Sequence, residues 1–596
     1  MIAPRANGQS SSSTTTSSSS SSTAPYDCYS QGLDTYAVPM SLHATNRARL
    51  LSSMMTSSPA AGLILLEGGR QRTRYDTDTE IVFRQESHFH YLFGASSYAG
   101  CYGAIALPSG KTTMFVPTHD VETATVRGPC PDLASVEDEL GVDGVRDVDE
   151  LSTFVEAEMD RLIAREGASA EDAKAKAKLY LLKGLNTDSG KYARPAYYNG
   201  IEKYYNTSSN DDDDRMTRID TTTLFARLVE CRVIKSAAEI ELMKYTNYIS
   251  SLAHVATMRT CRPNMMEYQL ESTFLHHTYY HGGCRHVAYT CICGCGPNSS
   301  ILHYGHAGRP NSGRLLRTGD MALLDMGGEY HCYASDITCS YPVDGTFTSD
   351  QRSIYESVLR AQIAVIGKLK PGVSWVDMHH VAEREILAGL VECGVLVMPP
   401  NNNNNHDDDD NVDDDDNVDD VIAKMIDVDL GAVFMPHGLG HLIGLDVHDV
   451  GGYAPNTPPR SSRPGLKKLR TSRIMESGMV ITVEPGCYFI DVLLDMALTD
   501  TRQGQYINNE RLQDFRGFGG VRLEDDIWIT DIGCVNLTQC PRAIDEVVHV
   551  MKGGDWPREC FDCYIYIRNF IFDFVWFAEQ RLCIKTISYI PIIIIS

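Results

Sequence analysis

Met321-Ala-Leu-Leu-Asp325-Met-Gly327-Gly328 and Tyr333-Ala-Ser-Asp336-Ile-Thr-Cys-Ser-Tyr-Pro342 read as two apolar strands, the first running into a glycine turn. Paired as a hairpin, they place Asp325 and Asp336 on one face, so close that both stay ionised only with cations between them. Aspartates that merely solvate a turn would not sit inside such apolar runs. Two later segments repeat the pattern with one acid each: Met479-Val-Ile-Thr-Val-Glu484-Pro-Gly486 and Gly520-Val-Arg-Leu-Glu524-Asp-Asp-Ile-Trp-Ile-Thr530. A buried carboxylate needs a metal or a basic partner, and Arg522, two residues from Glu524 on the same strand face, is a candidate partner.

Between these segments lies His437-Gly-Leu-Gly-His441, followed by Asp446-Val-His448. The i, i+4 histidine spacing is that of a helical zinc motif, but the glutamate is missing and two glycines disfavour a helix, so an irregular loop or strand end is expected. One of these histidines can bind metal while another faces substrate. Asp325, Asp336, His441, Glu484 and Glu524 thus form a candidate ligand set for two divalent ions. Their four negative charges balance the four positive ones, and a metal-bound hydroxide can form near neutral pH.

The remaining sequence sets the frame. At 596 residues the chain is too long for one core, which argues for two domains and appendages. With 43% hydrophobic and 22% charged residues it has the composition of a globular protein. The net charge of −25 argues against nucleic acid as a partner. It is nevertheless local, since Asp211–Asp214, Asp407–Asp410, Asp413–Asp416 and Asp419–Asp420 supply fourteen of the negative charges. Residues 1–24 are a Ser/Thr-rich stretch without the apolar core of a secretory signal, read as a disordered leader of a cytoplasmic protein. The eighteen cysteines are scattered, as expected for reduced thiols. The Cys291-Ile-Cys293-Gly-Cys295 cluster fits no common zinc spacing. Residues 400–420 form an Asn/Asp run expected to loop out between elements. Residues 553–596 form an apolar tail in which charges interrupt every run long enough to span a bilayer, so no membrane partner is expected.

The body divides near residues 215–235. Upstream, Gly62–Glu67, Phe83–Ser87, Tyr102–Leu107 and Thr112–Pro117 read as strands and Glu150–Arg165 as a helix, an α/β domain over 25–225. Ser236 and Glu239 have the spacing of a capping box that starts a helix over Ile240–Met258 and opens the second domain, 230–552. The fold class is α+β.

Leu324-Asp325-Met-Gly-Gly-Glu329, Ser335-Asp336-Ile-Thr338, Pro436-His-Gly-Leu-Gly-His441, Val483-Glu484-Pro-Gly486 and Val521-Arg-Leu-Glu524 together resemble the motifs of the aminopeptidase P/creatinase superfamily, and within it the Xaa-Pro dipeptidases (prolidases). The resemblance covers about Leu33 to Lys552. It implies a creatinase-like N-terminal domain, a pita-bread catalytic domain and a homodimer. It also implies two Mn2+ per chain, with Asp336 and Glu524 bridging, Asp325 completing one ion, and His441 and Glu484 the other. His303 and His448 match residues that hold substrate and stabilise the transition state, Tyr289, His437 and Arg522 match pocket residues, and Arg470 matches the base that grips the substrate carboxylate, a task suited to a guanidinium. The implied reaction is hydrolysis of the imide bond of Xaa-Pro dipeptides by a metal-bridged hydroxide, with Glu484 or a histidine-relayed water protonating the leaving amine. Two other readings are an aminopeptidase P acting on longer Xaa-Pro peptides and a non-catalytic pita-bread binding protein. The intact ligand set disfavours the last.

Overall fold

The computed structural model describes residues 28–57, 61–165, 177–204, 218–305, 311, 313–398 and 418–556. The Ser/Thr-rich leader, nearly all of the Asn/Asp run and most of the apolar tail lie outside them. The chain divides into two compact units between Leu242 and Met243. This division falls inside the helix Ala237–Thr260. The helix does begin with the expected capping box: Ser236 N–H donates to Glu239 Oε2 at 2.8 Å and Glu239 N–H to Ser236 Oγ at 3.4 Å.

The first unit is built on a six-stranded mixed sheet of β1 (Gly62–Glu67), β2 (Tyr102–Leu107), β3 (Thr112–Val116), β4 (Val145–Asp147), β5 (Lys178–Leu181) and β6 (Ile219–Asp220), in the order β4-β3-β2-β1-β5-β6. β1, β2 and β3 pair antiparallel, while β4, β5 and β6 join in parallel. One face of the sheet packs on the helix Leu151–Arg165 through Leu63, Leu65, Phe115, Val155, Met159 and Leu162, all nearly inaccessible. The expected strand Phe83–Ser87 is not one. Those residues lead into the helix Ser87–Phe93, which Glu86 caps by accepting from Phe89 N–H. Gln85 is turned inward and bonds Gly69 N, Ala95 O and Tyr98 O, a local network that outcompetes a sheet ladder.

The second unit carries two broken hairpins. In the first, β7 (His286–Val287), β8 (Ile292–Cys295), β9 (Met321–Asp325), β10 (Gly328–Tyr330), β11 (Tyr333–Ala334) and β12 (Thr338–Pro342) form two sheets, ordered β8-β9-β12 and β11-β10-β7. Its turn lies at His331 and Cys332, both with positive φ (46° and 62°), and not at Gly327-Gly328. The glycines instead mark where the chain crosses from one sheet to the other. A Cβ on Gly327 would overlap the Ser335 carbonyl, so only glycine permits the crossing. The second hairpin repeats this plan with β13 (Val480–Val483), β14 (Gly486–Tyr488), β15 (Gly520–Arg522), β16 (Asp525–Ile529) and β17 (Cys534–Asn536), in sheets β13-β16-β17 and β14-β15.

Two edges of the expected appendages are folded. The helix Val418–Asp427 starts inside the Asn/Asp run, with Asp419 and Asp420 in its first turn, where the helix dipole favours them. Gly553–Trp556 pack back onto the second unit through Arg259 Nη2 to Gly554 O and Trp556 Nε1 to Gln539 O, each 2.7 Å. Among the described residues no helix is long and apolar enough to cross a membrane.

Candidate metal centre

Each of the four acids stands at a break in a strand. Asp325 ends β9, Asp336 lies between β11 and β12, Glu484 between β13 and β14, and Glu524 between β15 and β16. The sequence suggested unbroken strands, and the breaks are what lift these side chains out of the alternating pleat. Register then brings them together: Asp325 pairs with Thr338, two residues beyond Asp336, and Thr338 is bridged to Glu524. Thr338 Oγ1 donates to Glu524 Oε2 at 2.6 Å, and Glu524 N–H donates to Thr338 O at 3.1 Å.

Donor atoms of Asp336, His441 and Glu524 all lie within 4.8 Å of one another, and the three residues are buried. His441 Nε2 is 3.3 Å from Asp336 Oδ2 and 3.7 Å from Glu484 Oε1. The backbone of His441 is clamped to Thr482, and its Nδ1 lies 3.1 Å from the Leu442 carbonyl. With the proton on Nδ1, the Nε2 lone pair faces the carboxylates, the orientation a metal-binding imidazole requires. His437-Gly-Leu-Gly-His441 is irregular, as its glycines suggested. A Cβ on Gly440 would overlap the Thr482 carbonyl, so this loop lies directly on β13.

The electrostatics of the pocket call for cations. Burial, then the neighbouring acids, pushes the Asp336 and Glu524 carboxyls well above the ordinary carboxylate range. Burial raises Glu484 as well, against the pull of His441, Arg522 and Arg470. Asp325 Oδ1 is buried without a hydrogen-bond partner, and so is the Tyr289 hydroxyl, whose pKa burial and then Asp325 and Asp336 drive well up. An orphaned carboxylate oxygen, converging hard oxygen donors and one oriented imidazole fit a divalent cation site.

Arg522 is the counter-charge. Its Nη2 meets Asp325 Oδ2 at 2.5 Å, its Nε donates to Thr338 Oγ1 at 3.0 Å, and its distance to Glu524 Oε2 is 3.9 Å. The expected Glu524 partnership is therefore secondary to the one with Asp325. Arg522 Nη1 also donates to Tyr488 Oη at 2.8 Å, and Tyr488 Oη lies 3.1 Å from His437 Nε2. Because Tyr488 Oη accepts from Arg522, its own proton can go to His437, which holds Gly438 O through Nδ1 at 2.8 Å. Burial, then Arg522, lowers the His437 pKa to about 4, so this imidazole is neutral near pH 7.

Of the other expected residues, His437, His448 and Arg470 lie beside this core. His437 Nδ1 is 3.8 Å from Glu484 Oε2. His448 is half-buried and presents its ring edge-on to His441, with centroids 4.5 Å apart. Arg470 is half-buried within electrostatic reach of Glu484. His303 stands exposed in a turn whose continuation, residues 306–310, is outside the described set. The Cys291, Cys293 and Cys295 thiols are buried on and beside β8, where burial raises each pKa, and Cys293 Sγ contacts Met326 Sδ at 3.5 Å, a core role.

Several supporting groups were not read from the sequence. Tyr488 offers no signal beyond its place after Glu484-Pro-Gly. Asp526 accepts the Asp336 N–H at 3.0 Å. Arg542, far along the chain, pairs with Asp525 at 2.5 Å and donates to Glu524 O at 2.6 Å and Thr338 O at 2.8 Å. The run Glu524-Asp525-Asp526 was the visible clue, since three consecutive buried acids demand several partners.

A family model described as metallopeptidase family M24 matches residues 241–531, and one described as the aminopeptidase P N-terminal domain matches 43–163. The chain is 45% identical over 526 residues to the Xaa-Pro dipeptidase of Homo sapiens, covering 88% of this chain and 96% of that one. It is 31% identical over 493 residues to the probable Xaa-Pro aminopeptidase PEPP of Phaeosphaeria nodorum, covering 83% and 92%. Among solved structures, zinc-substituted E. coli aminopeptidase P in complex with product matches with a TM-score of 0.61 at 26% identity, over 87% of this chain and 99% of that one. The two broken hairpins are accordingly a pita-bread domain that follows an aminopeptidase P-type N-terminal domain in the sequence, and the chain belongs to metallopeptidase family M24, with the Xaa-Pro dipeptidases and aminopeptidases P.

Proposed function

We propose that this chain hydrolyses the imide bond of Xaa-Pro dipeptides at a dinuclear centre, with Mn2+ as the ion. The observation that carries the reading is the convergence of Asp336, His441 and Glu524 with Asp325 and Glu484, at strand breaks of a chain aligned with a Xaa-Pro dipeptidase over 96% of that protein's length. Asp325, Asp336, His441, Glu484 and Glu524 would hold the ions, with Asp336 and Glu524 shared. Such a pair supplies Lewis acidity toward the scissile carbonyl and lowers the pKa of water.

The chain's own groups do the rest. Arg470 binds the free carboxylate that follows proline, where a planar guanidinium can take both oxygens. His448, edge-on to His441, donates to the oxygen on which charge develops. Glu484, between His437 and His441, takes a proton from the attacking water and passes it to the departing proline nitrogen. His437 stays neutral and, through Tyr488, keeps Arg522 aimed at Asp325. Tyr289 and His303 line the substrate pocket. The bipartite body, 25–225 and 230–552, cytoplasmic residence and a homodimeric state belong to the same reading.

A second reading, release of the N-terminal residue from longer Xaa-Pro peptides, is favoured by the aminopeptidase P relatives at 31% and 26% identity. Assay of Gly-Pro against Gly-Pro-Xaa peptides, before and after chelation and with Mn2+ or Zn2+ restored, separates the two. Faster cleavage of the tripeptides overturns the dipeptidase reading, and undiminished activity after thorough chelation overturns the metal centre.

A further inference from the structure

The helix Glu267–Gly282 carries His276, His277 and His281 close to its C-terminal end, away from the ligand set described above. His277 and His281 are one turn apart on the same face, and their ring centroids lie 5.0 Å apart with planes tilted by 31°. His276 stacks on Tyr280 at 5.2 Å and stands 5.7 Å from His277. His277 is half-buried, and His276 and His281 are exposed.

We infer that His277 and His281 form a second metal site, an i, i+4 bis-imidazole chelate for a borderline divalent transition ion such as Ni2+, Zn2+ or Cu2+. The geometry supports it. A metal–nitrogen bond of about 2.0–2.1 Å puts each ring centroid about 3.2 Å from the ion, so two rings on a tetrahedral ion stand about 5.2 Å apart. The observed centroid separation of 5.0 Å is close to that value. The i, i+4 histidine pair on one helix face is the spacing that zinc helices use. Desolvation, then His281 and His276, lowers the His277 pKa, which keeps that nitrogen free to coordinate near neutral pH. The backbone beneath is fixed, because Gly283 in the left-handed region closes the helix by donating to Thr278 O and Tyr279 O.

The catalytic pocket offers mainly carboxylate oxygen, which suits hard ions such as Mn2+, while the helix offers only imidazole, which suits the later transition ions. Water or His276 fills the remaining positions.

The experiment is a Ni2+ titration by calorimetry on untagged full-length protein kept saturated with Mn2+, beside the variants His277→Ala and His281→Ala. Alanine at helix positions preserves folding, and unchanged Gly-Pro hydrolysis by both variants checks it, as neither residue is in the catalytic machinery. The expected result is one Ni2+ per chain in the parent with Kd on the order of micromolar, weakened at least about tenfold in either variant. The parent should also gain thermal stability on adding Ni2+, a shift both variants lose. Binding of equal stoichiometry and affinity in parent and variants, or none in the parent, overturns the inference.

Discussion

Substituting Asp336 by Asn should raise the stability of the ion-free protein while abolishing its activity. Donor atoms of Asp336 and Glu524 lie within 4.8 Å of each other in a buried pocket. At an effective dielectric constant near 20, two like charges at that distance repel by about 3–4 kcal/mol. The ion-free chain relieves this by taking up protons, which is why burial and then the facing acids raise both carboxyls. Raised folded-state pKa values stabilise below the ordinary carboxylate range and lose that stabilisation as pH climbs through the folded values. Ion-free parent protein should therefore become less stable from acid toward alkaline pH, and Asp336→Asn should flatten that slope. An amide also suits the local acceptor, since its NH2 can donate to His441 Nε2, now 3.3 Å from Asp336 Oδ2. At pH 8 with chelator, urea unfolding should find the variant more stable than the parent, by up to about 3 kcal/mol. With saturating Mn2+ the order should invert, because only the parent keeps a full ligand set and gains the binding energy. A variant less stable than the parent without ions at pH 8, or an equal gain from Mn2+ in both, would refute the reasoning.

Other perturbations probe the framework around the ligands. Tyr488→Phe leaves Arg522 Nη1 and His437 Nε2 without their shared partner. It should lower stability by about 1–3 kcal/mol in urea unfolding and reduce kcat for Gly-Pro. Arg542→Met strips Asp525 of its 2.5 Å ion pair and frees two carbonyls at the strand break, so a loss of about 3–5 kcal/mol is expected by the same measurement. Gly327→Ala forces a methyl into the Ser335 carbonyl at the sheet crossing and should yield protein with less than one tightly held Mn2+ per chain by elemental analysis.

Three of the four acids proposed as ligands stood out because each joins an apolar run to a nearby glycine, Asp325 to Gly327, Glu484 to Gly486 and Glu524 to Gly520. That combination has few explanations in a buried segment. The capping box at Ser236 and Glu239 was legible for the same reason, as both ends of the interaction lie within one turn. The strand breaks were not legible. Tyr333–Pro342 and Gly520–Thr530 each alternate plausibly as one strand, and only pairing with distant segments decides where the ladder stops. Phe83–Ser87 failed similarly, through inward hydrogen bonds of Gln85 that residue type alone does not announce. Tyr488 and Arg542 were invisible because their partners lie far away in sequence, 34 residues for Tyr488 and Arg522 and 204 for Arg542 and the Thr338 carbonyl.

The placement of the four acids at sheet crossings also has a temporal side. Thr338 and Glu524, joined at 2.6 Å, are 186 residues apart, so the first hairpin leaves the ribosome long before the second exists. A nascent chain that stops ahead of Val480 carries Asp325, Asp336 and His441 but neither glutamate. It presents half a cage, with no partner acid to repel and little to retain an ion. Both the electrostatic conflict and its remedy arise when the second hairpin docks. Loading of the proposed metal centre would thereby wait until the second hairpin has been made and has docked on the first.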